Sequence, residues 1–308
     1  MTQRSMPALA VCLAVYNGTR WLPEQLASIL AQTDVVITVY VSVDLSTDGT
    51  EAWIDAHAAK DDRIVVLPHG RSFGGAAPNF FRLLLEIDFD GFDYVSFADQ
   101  DDIWLAGKLA RAHEVLVQSG ADAYSSNITA FWPDGRQLLV KKSQPQRRWD
   151  FLFEAAGPGC TYVMKVDLAR AIQAVLRERW TDAQKIGLHD WFSYAFARAN
   201  GYRWVIDDYA GMLYRQHLEN QVGVNAGWSA MVFRSRKVLN GWGLVQAALI
   251  SDLVGLKNEP FVRRWLNGGR LGLLKLALCA SQCRRRARDR WLFALSCVVL
   301  CVLGRHQR

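Results

Sequence analysis

The chain has 308 residues, of which 51% are hydrophobic and 21% are charged. This composition supplies enough apolar side chains for a large core and excludes a disordered or low-complexity protein. The net charge of +6 is unevenly distributed, because residues 261–308 carry eleven Lys and Arg against one acid, which leaves the first 260 residues at −4. An acidic body without a basic, aromatic groove excludes nucleic acid as the expected partner.

The first half of the chain alternates predicted strands and helices with short connections. The predicted strands are residues 8–15, 35–43, 63–67 and 94–98, and the predicted helices are residues 22–30, 50–59, 79–87 and 108–118. This alternation predicts an α/β fold with a mainly parallel twisted sheet flanked by helices.

Polar clusters follow the ends of three predicted strands. They are Tyr16-Asn17-Gly18, the segment from Asp44 to Gly49, and Asp99-Gln100-Asp101. Because ligands bind outside the carboxyl ends of the strands in such sheets, we expect a binding site at this edge.

Three acids lie within four positions after the strand 94–98, namely Asp99, Asp101 and Asp102. Like charges at the end of a buried strand are costly unless a cation or strong hydrogen-bond donors compensate them. Carboxylate oxygens suit Mg²⁺ or Mn²⁺, which usually share their ligand shell with substrate phosphates. The residues alone leave a second interpretation open, an acidic turn that caps the next helix.

The second half of the chain has a different pattern. Strands are predicted at 124–131 and 160–166, and helices at 167–179, with Asp167 as N-cap, and at 188–200, ending at Gly201. From Trp228 onward the chain is predicted to be helical, with glycine breaks near 241, 255 and 268–269. The six cysteines form no disulfide pattern, which favours a reducing, cytoplasmic compartment, and the short polar start predicts no signal peptide.

Several motifs together resemble glycosyltransferase family 2, with its GT-A fold, over about residues 8–225. They are Leu13-Ala-Val-Tyr-Asn-Gly18, Val43-Asp-Leu-Ser-Thr-Asp-Gly-Thr50 and Ala98-Asp-Gln-Asp-Asp-Ile-Trp104. Within the family, His189-Asp-Trp191 and Tyr214-Arg-Gln-His217, with Asn220 and Gly223, are most similar to bacterial rhamnosyltransferases of surface polysaccharide synthesis. The resemblance implies an inverting transfer of one sugar from a nucleotide-sugar donor to a lipid-linked saccharide.

The resemblance also implies roles for the acids. Asp101 is the expected ligand of Mg²⁺ or Mn²⁺, and Asp99 is expected to bind the ribose, or the metal through water. Asp44 has the position that contacts the nucleotide base, although Val43 replaces the Asp that usually precedes it. Asp102 is expected to cap a helix or to support the metal ligands.

On the acceptor side, Asp190 matches the family's general base, which takes the proton of the acceptor hydroxyl. Its alternative role is to cap the helix that starts there. His189 is expected either to orient Asp190 or contact the acceptor, or to be an ordinary surface histidine. His217 is expected to complete the metal or diphosphate shell.

The remaining predicted donor contacts are Tyr16, Asn17 and Gln100, which are expected to line the nucleotide pocket. The expected donor is dTDP-L-rhamnose. A UDP-hexose or UDP-N-acetylhexosamine remains an alternative, because uracil and thymine present the same N3–H edge to Asp44. A further alternative is a non-catalytic nucleotide-sugar-binding protein that docks at a membrane.

The basic C-terminal part, residues 226–308, is predicted to be a helical membrane-associating region that follows a catalytic domain at residues 1–225. Its last apolar stretch, 291–303, is short of the roughly 20 residues that span a bilayer, which favours an interfacial or re-entrant element. The arginines of the run 284–288 are expected to contact lipid headgroups. Removing the residues after Pro260 is expected to release the protein from membranes while donor hydrolysis continues. We therefore expect a cytoplasmic protein, peripheral on the anionic inner face of the cell membrane.

Overall fold

The computed structural model describes residues 6–217 and 240–304. Within these residues, nine strands form one sheet. The strands are β1 (Ala8–Val15), β2 (Val36–Val43), β3 (Ile64–Val66), β4 (Tyr94–Ala98), β5 (Ile103–Trp104), β6 (Ala123–Phe131), β7 (Gln137–Val140), β8 (Val163–Lys165) and β9 (Trp204–Arg215).

Twelve α-helices accompany the sheet in the described part of the chain. They are α1 (Leu22–Leu30), α2 (Thr50–Ala58), α3 (Ala76–Glu86), α4 (Lys108–Ser119), α5 (Val166–Glu178), α6 (Trp180–Ala183), α7 (His189–Ala199), α8 (Trp242–Leu253), α9 (Pro260–Leu266), α10 (Gly269–Leu278), α11 (Ala280–Cys283) and α12 (Ala287–Val302). Short 3₁₀ turns lie at Asp150–Leu152 and Gly159–Thr161.

The sheet order is β3-β2-β1-β4-β8-β6-β9-β5, with β7 paired to β6. The strands β1 to β4 pair in parallel, which places their carboxyl ends at one edge. The second half is mixed, because β8 pairs antiparallel with both β4 and β6, and β9 pairs parallel with β6. The predicted α/β fold is confirmed, and its parallel part is the half that carries the predicted ligand edge.

The long strand β9 runs from the mixed half of the sheet to the strand β5, which follows the parallel strand β4 in the chain. Its register with β6 shifts after Ser126 and again after Asn127, and its far end pairs antiparallel with the two-residue strand β5. Because β5 directly follows the acidic segment 99–102, this pairing brings the end of β9 against that segment.

Two apolar cores lie against the sheet. One contains Leu22 and Leu26 of α1 together with alternate residues of β1 and β2. The other combines α3, α5 and α7 with the C-terminal helices, so that Trp265 and Leu300 belong to the same core as Phe192. The C-terminal helices therefore complete the core of the catalytic body. The predicted boundary at 225/226 lies among residues outside the description and stays a prediction.

Three local predictions are wrong. Helix α5 begins at Val166 after Lys165, so Asp167 is in its first turn and does not cap it, although its charge there favours the helix dipole. Cys160 lies in a 3₁₀ turn, and only Val163–Lys165 form the predicted strand. Asp102 caps no helix, because α4 begins after Gly107.

The run of arginines at 284–288 also differs from the expectation. Arg284 donates to the carbonyl of Phe153 at 2.7 Å, and Arg285 is 3% exposed and donates to the carbonyl of Ala155 at 2.6 Å. Arg286 donates to the carbonyl of Lys141. These three side chains hold the C-terminal helices on the catalytic body, so the expected headgroup contact is wrong for them.

The predicted glycine breaks after residue 240 are present. Gly241 and Gly255 have φ angles of 69° and 80° and flank α8, and Gly268 separates α9 from α10. The apolar stretch 291–303 lies in α12 and just beyond it. Among the described helices, none is both long and apolar enough to cross a membrane.

Candidate active site

Hydrogen bonds between neighbouring strand ends build the site's floor. The side-chain amide of Gln100 donates to the carbonyl of Tyr16 at 2.9 Å and accepts the N–H of Tyr16 at 2.8 Å. Asn17, at φ 45°, accepts the N–H of Thr47 at 2.8 Å and donates its own N–H to the hydroxyl of Ser46 at 3.0 Å. Gln100 and Asn17 therefore join the ends of β1, β2 and β4, and the ring of Tyr16 is left 56% exposed at the rim.

Asp44, predicted to contact the base, is buried and bonded to the chain itself. Its Oδ1 accepts the N–H of Leu45 at 2.9 Å and of Phe73 at 2.8 Å, and its Oδ2 accepts the N–H of Gly74 at 3.1 Å. These bonds fix the loop before α3. The structure therefore gives Asp44 a positioning role, and the base contact stays a prediction.

The acids after β4 converge in a partly enclosed space. Burial raises the pKa of Asp99 to about 7, and the charges of Asp101 and Asp190 add to the effect. Burial also raises the pKa of Asp102 well above its usual range, with further contributions from Asp101 and Asp99. The Oδ2 of Asp102 is buried with no hydrogen-bond partner in the described residues. Several carboxylates therefore share one site, and their charges raise the pKa of Asp99 and Asp102 further.

The end of β9 closes over this cluster. Nε2 of His217 lies 2.6 Å from Oδ2 of Asp101. Arg215 donates from its side chain to the carbonyl of Asp101 at 2.8 Å and from its backbone N–H to Oδ1 of Asp102 at 3.2 Å, and it pairs with Glu24 of α1. The structure thus brings His217 to the acids, as predicted. Asn220 and Gly223, the other residues of this motif, lie outside the described residues.

These residues fit a divalent cation. Burial and the charges of neighbouring acids raise the pKa of Asp99, and a bound Mg²⁺ or Mn²⁺ would offset both effects. The predicted ligands were Asp99, Asp101 and His217. Among the described residues, the ligand atoms that lie within 4.8 Å of one another are instead those of Asp99, Asp102 and Cys160, so the predicted set stays a prediction.

Asp190 lies in the first turn of α7, at the acceptor side of the acids. Its Oδ1 accepts the N–H of the adjacent Trp191 at 2.7 Å, and burial raises its pKa to about 6. Helix α7 begins after Leu188, so Asp190 is not the N-cap and that alternative is wrong. The pKa near 6 leaves a carboxylate that is ionised at neutral pH and more basic than usual, as a general base requires.

His189 lies in the core and not on the surface. Its ring stacks on Phe80 at 3.8 Å between centroids, and burial lowers its pKa to about 3. A Cβ built on Gly159 would be 2.6 Å from Nε2 of His189 and 3.2 Å from Cβ of Asp190. Only glycine permits this approach. The surface role of His189 is therefore wrong, and its roles in orienting Asp190 or contacting the acceptor stay predictions.

Sequence reasoning missed three further residues near the acids. Lys108 is buried over the ring of Trp104 at 3.5 Å, and burial lowers its pKa to about 7. Cys160 comes from the 3₁₀ turn before β8. Lys142, after β7, lies close enough to Asp190 for its charge to lower the pKa of that carboxyl. None of them stands in a motif, and only the folded chain brings them to the site.

Comparisons with known proteins agree with this geometry. The model of the family Glycosyl transferase family 2 matches residues 10–166. The dTDP-rhamnosyl transferase RfbG of Shigella flexneri is 43% identical over 279 residues, covering 90% of this chain and 96% of the relative.

Two solved structures share the fold. The chain of S. aureus TarS in complex with UDP-GlcNAc superposes with a TM-score of 0.55 at 14% identity, covering 95% of this chain and 88% of that one. The mannosyltransferase PcManGT of Pyrobaculum calidifontis, in complex with GDP-Man and Mn²⁺, has a TM-score of 0.50 at 17% identity, covering 96% and 86%.

Proposed function

The chain belongs to glycosyl transferase family 2, and we propose that it transfers a single L-rhamnosyl residue from dTDP-L-rhamnose, with inversion, to a lipid-linked saccharide. The observation that carries this proposal is that Asp190 lies close enough to Asp99 for their charges to interact. A base beside acids that could hold a divalent cation is suited to a single displacement.

In this reaction Asp190 accepts the proton of the acceptor hydroxyl as that oxygen attacks the anomeric carbon. Its raised pKa, about 6, makes it a stronger base than an exposed aspartate. Asp99, Asp101 and His217 would hold a divalent cation, which would supply positive charge to the leaving diphosphate. Tyr16, at the exposed rim, and the loop held by Asp44 line the nucleotide pocket.

The donor identity rests on the Shigella relative, whose printed name gives dTDP-rhamnosyl transfer and whose length this chain nearly covers. A UDP-hexose or UDP-N-acetylhexosamine is the alternative within the same chemistry. A non-catalytic protein would need Asp44 and the donor pocket but not Asp190 beside them. The retained base therefore favours an enzyme.

The surface of the C-terminal helices supports a membrane partner. Helices α10 and α12 pack together and expose large apolar side chains, above all Leu278 at 86% and Trp291 at 79%. The other exposed apolar side chains of this apolar face are Leu271, Leu274, Leu292, Leu295, Val298 and Val302.

Basic residues border the apolar face, among them Arg263, Arg264, Arg270, Lys275 and Arg288. An exposed apolar face of this size with basic neighbours is suited to an anionic lipid surface, since both insertion and charge attraction contribute. We therefore place the protein at the cytoplasmic face of the cell membrane, where lipid-linked acceptors are available to it.

The decisive experiment is a donor panel. Purified protein with Mn²⁺ or Mg²⁺ is incubated with dTDP-L-rhamnose, UDP-glucose, UDP-N-acetylglucosamine or GDP-mannose, and release of the nucleoside diphosphate is measured. The proposal expects release from dTDP-L-rhamnose above the others and little release from the Asp101→Asn variant. Preference for a UDP-sugar would replace the donor and keep the reaction, whereas no release from any donor would refute the enzyme.

A further inference from the structure

Hydrogen bonds fix the backbone segment that places Lys142 near Asp190. The N–H of Lys142 donates to Oδ1 of Asn127 at 2.6 Å, as does that of Ser143 at 3.0 Å, and the amide nitrogen of Asn127 donates to the carbonyl of Asp208 at 2.8 Å. The lysine side chain lies against Gly157, where a Cβ would be 3.6 Å from its Cγ.

Other cations surround this lysine. Burial is the main cause that lowers the pKa of Lys142, and the charges of Arg286 and Arg285 lower it further. The charges of Glu154 and Asp190 raise it. Two carboxylates compensate the charge of Arg285, because its side chain lies 3.5 Å from Asp150 and 3.7 Å from Glu154.

Arg286 differs from Arg285. Its side chain donates a hydrogen bond to a neutral group, the carbonyl of Lys141. Within residues 6–217 and 240–304, neither Lys142 nor Arg286 has a carboxylate at ion-pair distance. Two unpaired cations held near each other repel, and an anion bound between them would remove that cost.

We propose that Lys142 and Arg286 form an anion site beside Asp190 that binds a phosphate group of the acceptor. The inference rests on the proposed function, since it assigns this site to the acceptor. The donor diphosphate belongs to the other side of Asp190, where Asp99, Asp101 and His217 lie at the ends of β4 and β9. Lysine and arginine both supply several N–H donors to phosphate oxygens.

The position of the site limits the class of acceptor. Lys142 lies against Gly157, two residues before Gly159, which lies against the Cβ of Asp190, and its charge lowers the pKa of that carboxyl. A phosphate held there therefore lies close to the hydroxyl that Asp190 deprotonates. The accepting sugar is then one that carries its phosphate directly, as in a saccharide joined to a lipid diphosphate. The reaction that precedes this one in the sequence must therefore make a sugar–phosphate linkage to the lipid.

The kinetic test uses Lys142→Met and Arg286→Gln, with membranes as the source of acceptor. Each variant should raise the acceptor KM about 10- to 100-fold, the loss expected for one charge-assisted hydrogen bond, while the donor KM in donor hydrolysis stays within about twofold. Lys142→Arg should restore most of the acceptor affinity. Arg136→Gln removes an exposed cation from the β6–β7 hairpin, paired only with its neighbour Asp134, and is the matched control.

A binding test separates this site from the rest of the function. Line broadening of inorganic phosphate in ³¹P NMR, in metal-free buffer, should be present in the wild type and reduced in both variants. The acids near Asp99 repel phosphate when no metal is bound, so they do not contribute. Because no sugar donor is used, this test holds even if the donor panel fails.

Three results would overturn the proposal. An equal rise of donor KM would assign the two cations to the donor diphosphate. Unchanged acceptor KM and unchanged phosphate broadening would leave them without a ligand role. Loss of binding to anionic vesicles, with acceptor KM unaltered in detergent, would make them contacts of lipid headgroup phosphates. Thermal unfolding of each variant, compared with Lys142→Arg, identifies any effect that comes from misfolding.

Discussion

Nε2 of His217 lies 2.6 Å from Oδ2 of Asp101, and the imidazole ring packs at 5.6 Å from the ring of Trp21. The two residues are 116 positions apart in the chain. Their contact joins the end of β9 to the acidic segment after β4, and it orients the carboxylate that the sequence predicts to bind the metal.

The first prediction concerns this contact. His217→Ala should raise the Mn²⁺ concentration needed for half-maximal donor hydrolysis about 10- to 100-fold, because partners that orient metal ligands contribute that much to affinity. Metal titration of nucleoside diphosphate release measures the shift. His57→Ala, on α2, is the control. A lower Mn²⁺ requirement would instead mean that the imidazole competes with the metal for Asp101.

The second prediction concerns the base. Asp190→Asn retains the size of the side chain and removes the proton acceptor, so transfer should fall by about 10²- to 10⁴-fold. Donor KM should be nearly unchanged, since the donor contacts lie with Asp99 and Asp101. Product formation with labelled donor and membrane acceptor checks the rate. Transfer at the wild-type rate would make Asp190 a structural residue.

The third prediction is a pH dependence. The pKa of Asp190 is about 6, so transfer should fall as the pH drops below about 6 and this acidic limb should be lost in Asp190→Asn. The folded pKa lies above the usual value of 3.8, so the contribution of this group to stability is greatest below about pH 4 and is lost as the pH rises through 6.

Asp190→Asn should therefore also raise stability at pH 7. We expect about 1–2 kcal/mol after allowing for partial solvent screening. Denaturant unfolding at pH 4 and pH 7 tests the sign. Equal stability gains at both values would contradict the raised pKa.

The fourth prediction concerns Arg285, the buried link between the C-terminal helices and the body. Arg285→Met should destabilise the protein by about 3–5 kcal/mol, because it leaves Asp150 and Glu154 without a full partner in the interior. Arg288→Met, at a side chain 77% exposed, should change stability by no more than about 0.5 kcal/mol. Urea unfolding distinguishes the two.

The same core packing changes the outcome expected for truncation. Val262, Trp265, Leu273 and Leu276 are buried in a core shared with α7. Removing the residues after Pro260 should therefore expose that core, and donor hydrolysis should be lost together with membrane binding. A folded, active truncated protein would show that the sequence-based expectation was right.

The fifth prediction concerns the apolar face of α10 and α12. Leu278→Ser with Trp291→Ser should abolish sedimentation with vesicles of phosphatidylcholine and phosphatidylglycerol, because insertion of these side chains supplies a salt-insensitive part of the binding. Leu138→Ser with Leu139→Ser, at exposed positions of β7, is the control and should not change binding. Equal binding by both double variants would remove the membrane role of this face.

The sequence determined the parallel half of the sheet and the edge at which ligands bind. The period of the hydrophobic residues and the alternation of strands and helices are local properties of the sequence. Because the carboxyl ends of parallel strands lie at one edge of the sheet, Asn17, Asp44 and Asp99 could be placed together from their positions alone. The glycine breaks and the start of the β4 strand were predictable for the same reason. The family motifs also marked Asp190 and His217 as residues of the site.

Only the tertiary structure decided what surrounds these residues. Arg285 stands in a basic run that the sequence assigns to lipid headgroups, and its burial depends on Asp150 and Glu154, more than 120 positions earlier. Cys160 reaches the acids, and Lys142 reaches Asp190, through sheet pairings that leave no local signal. Charge pairing, burial and the resulting pKa shifts are properties of packing between distant segments, and so they follow from the fold and not from any pattern in the chain.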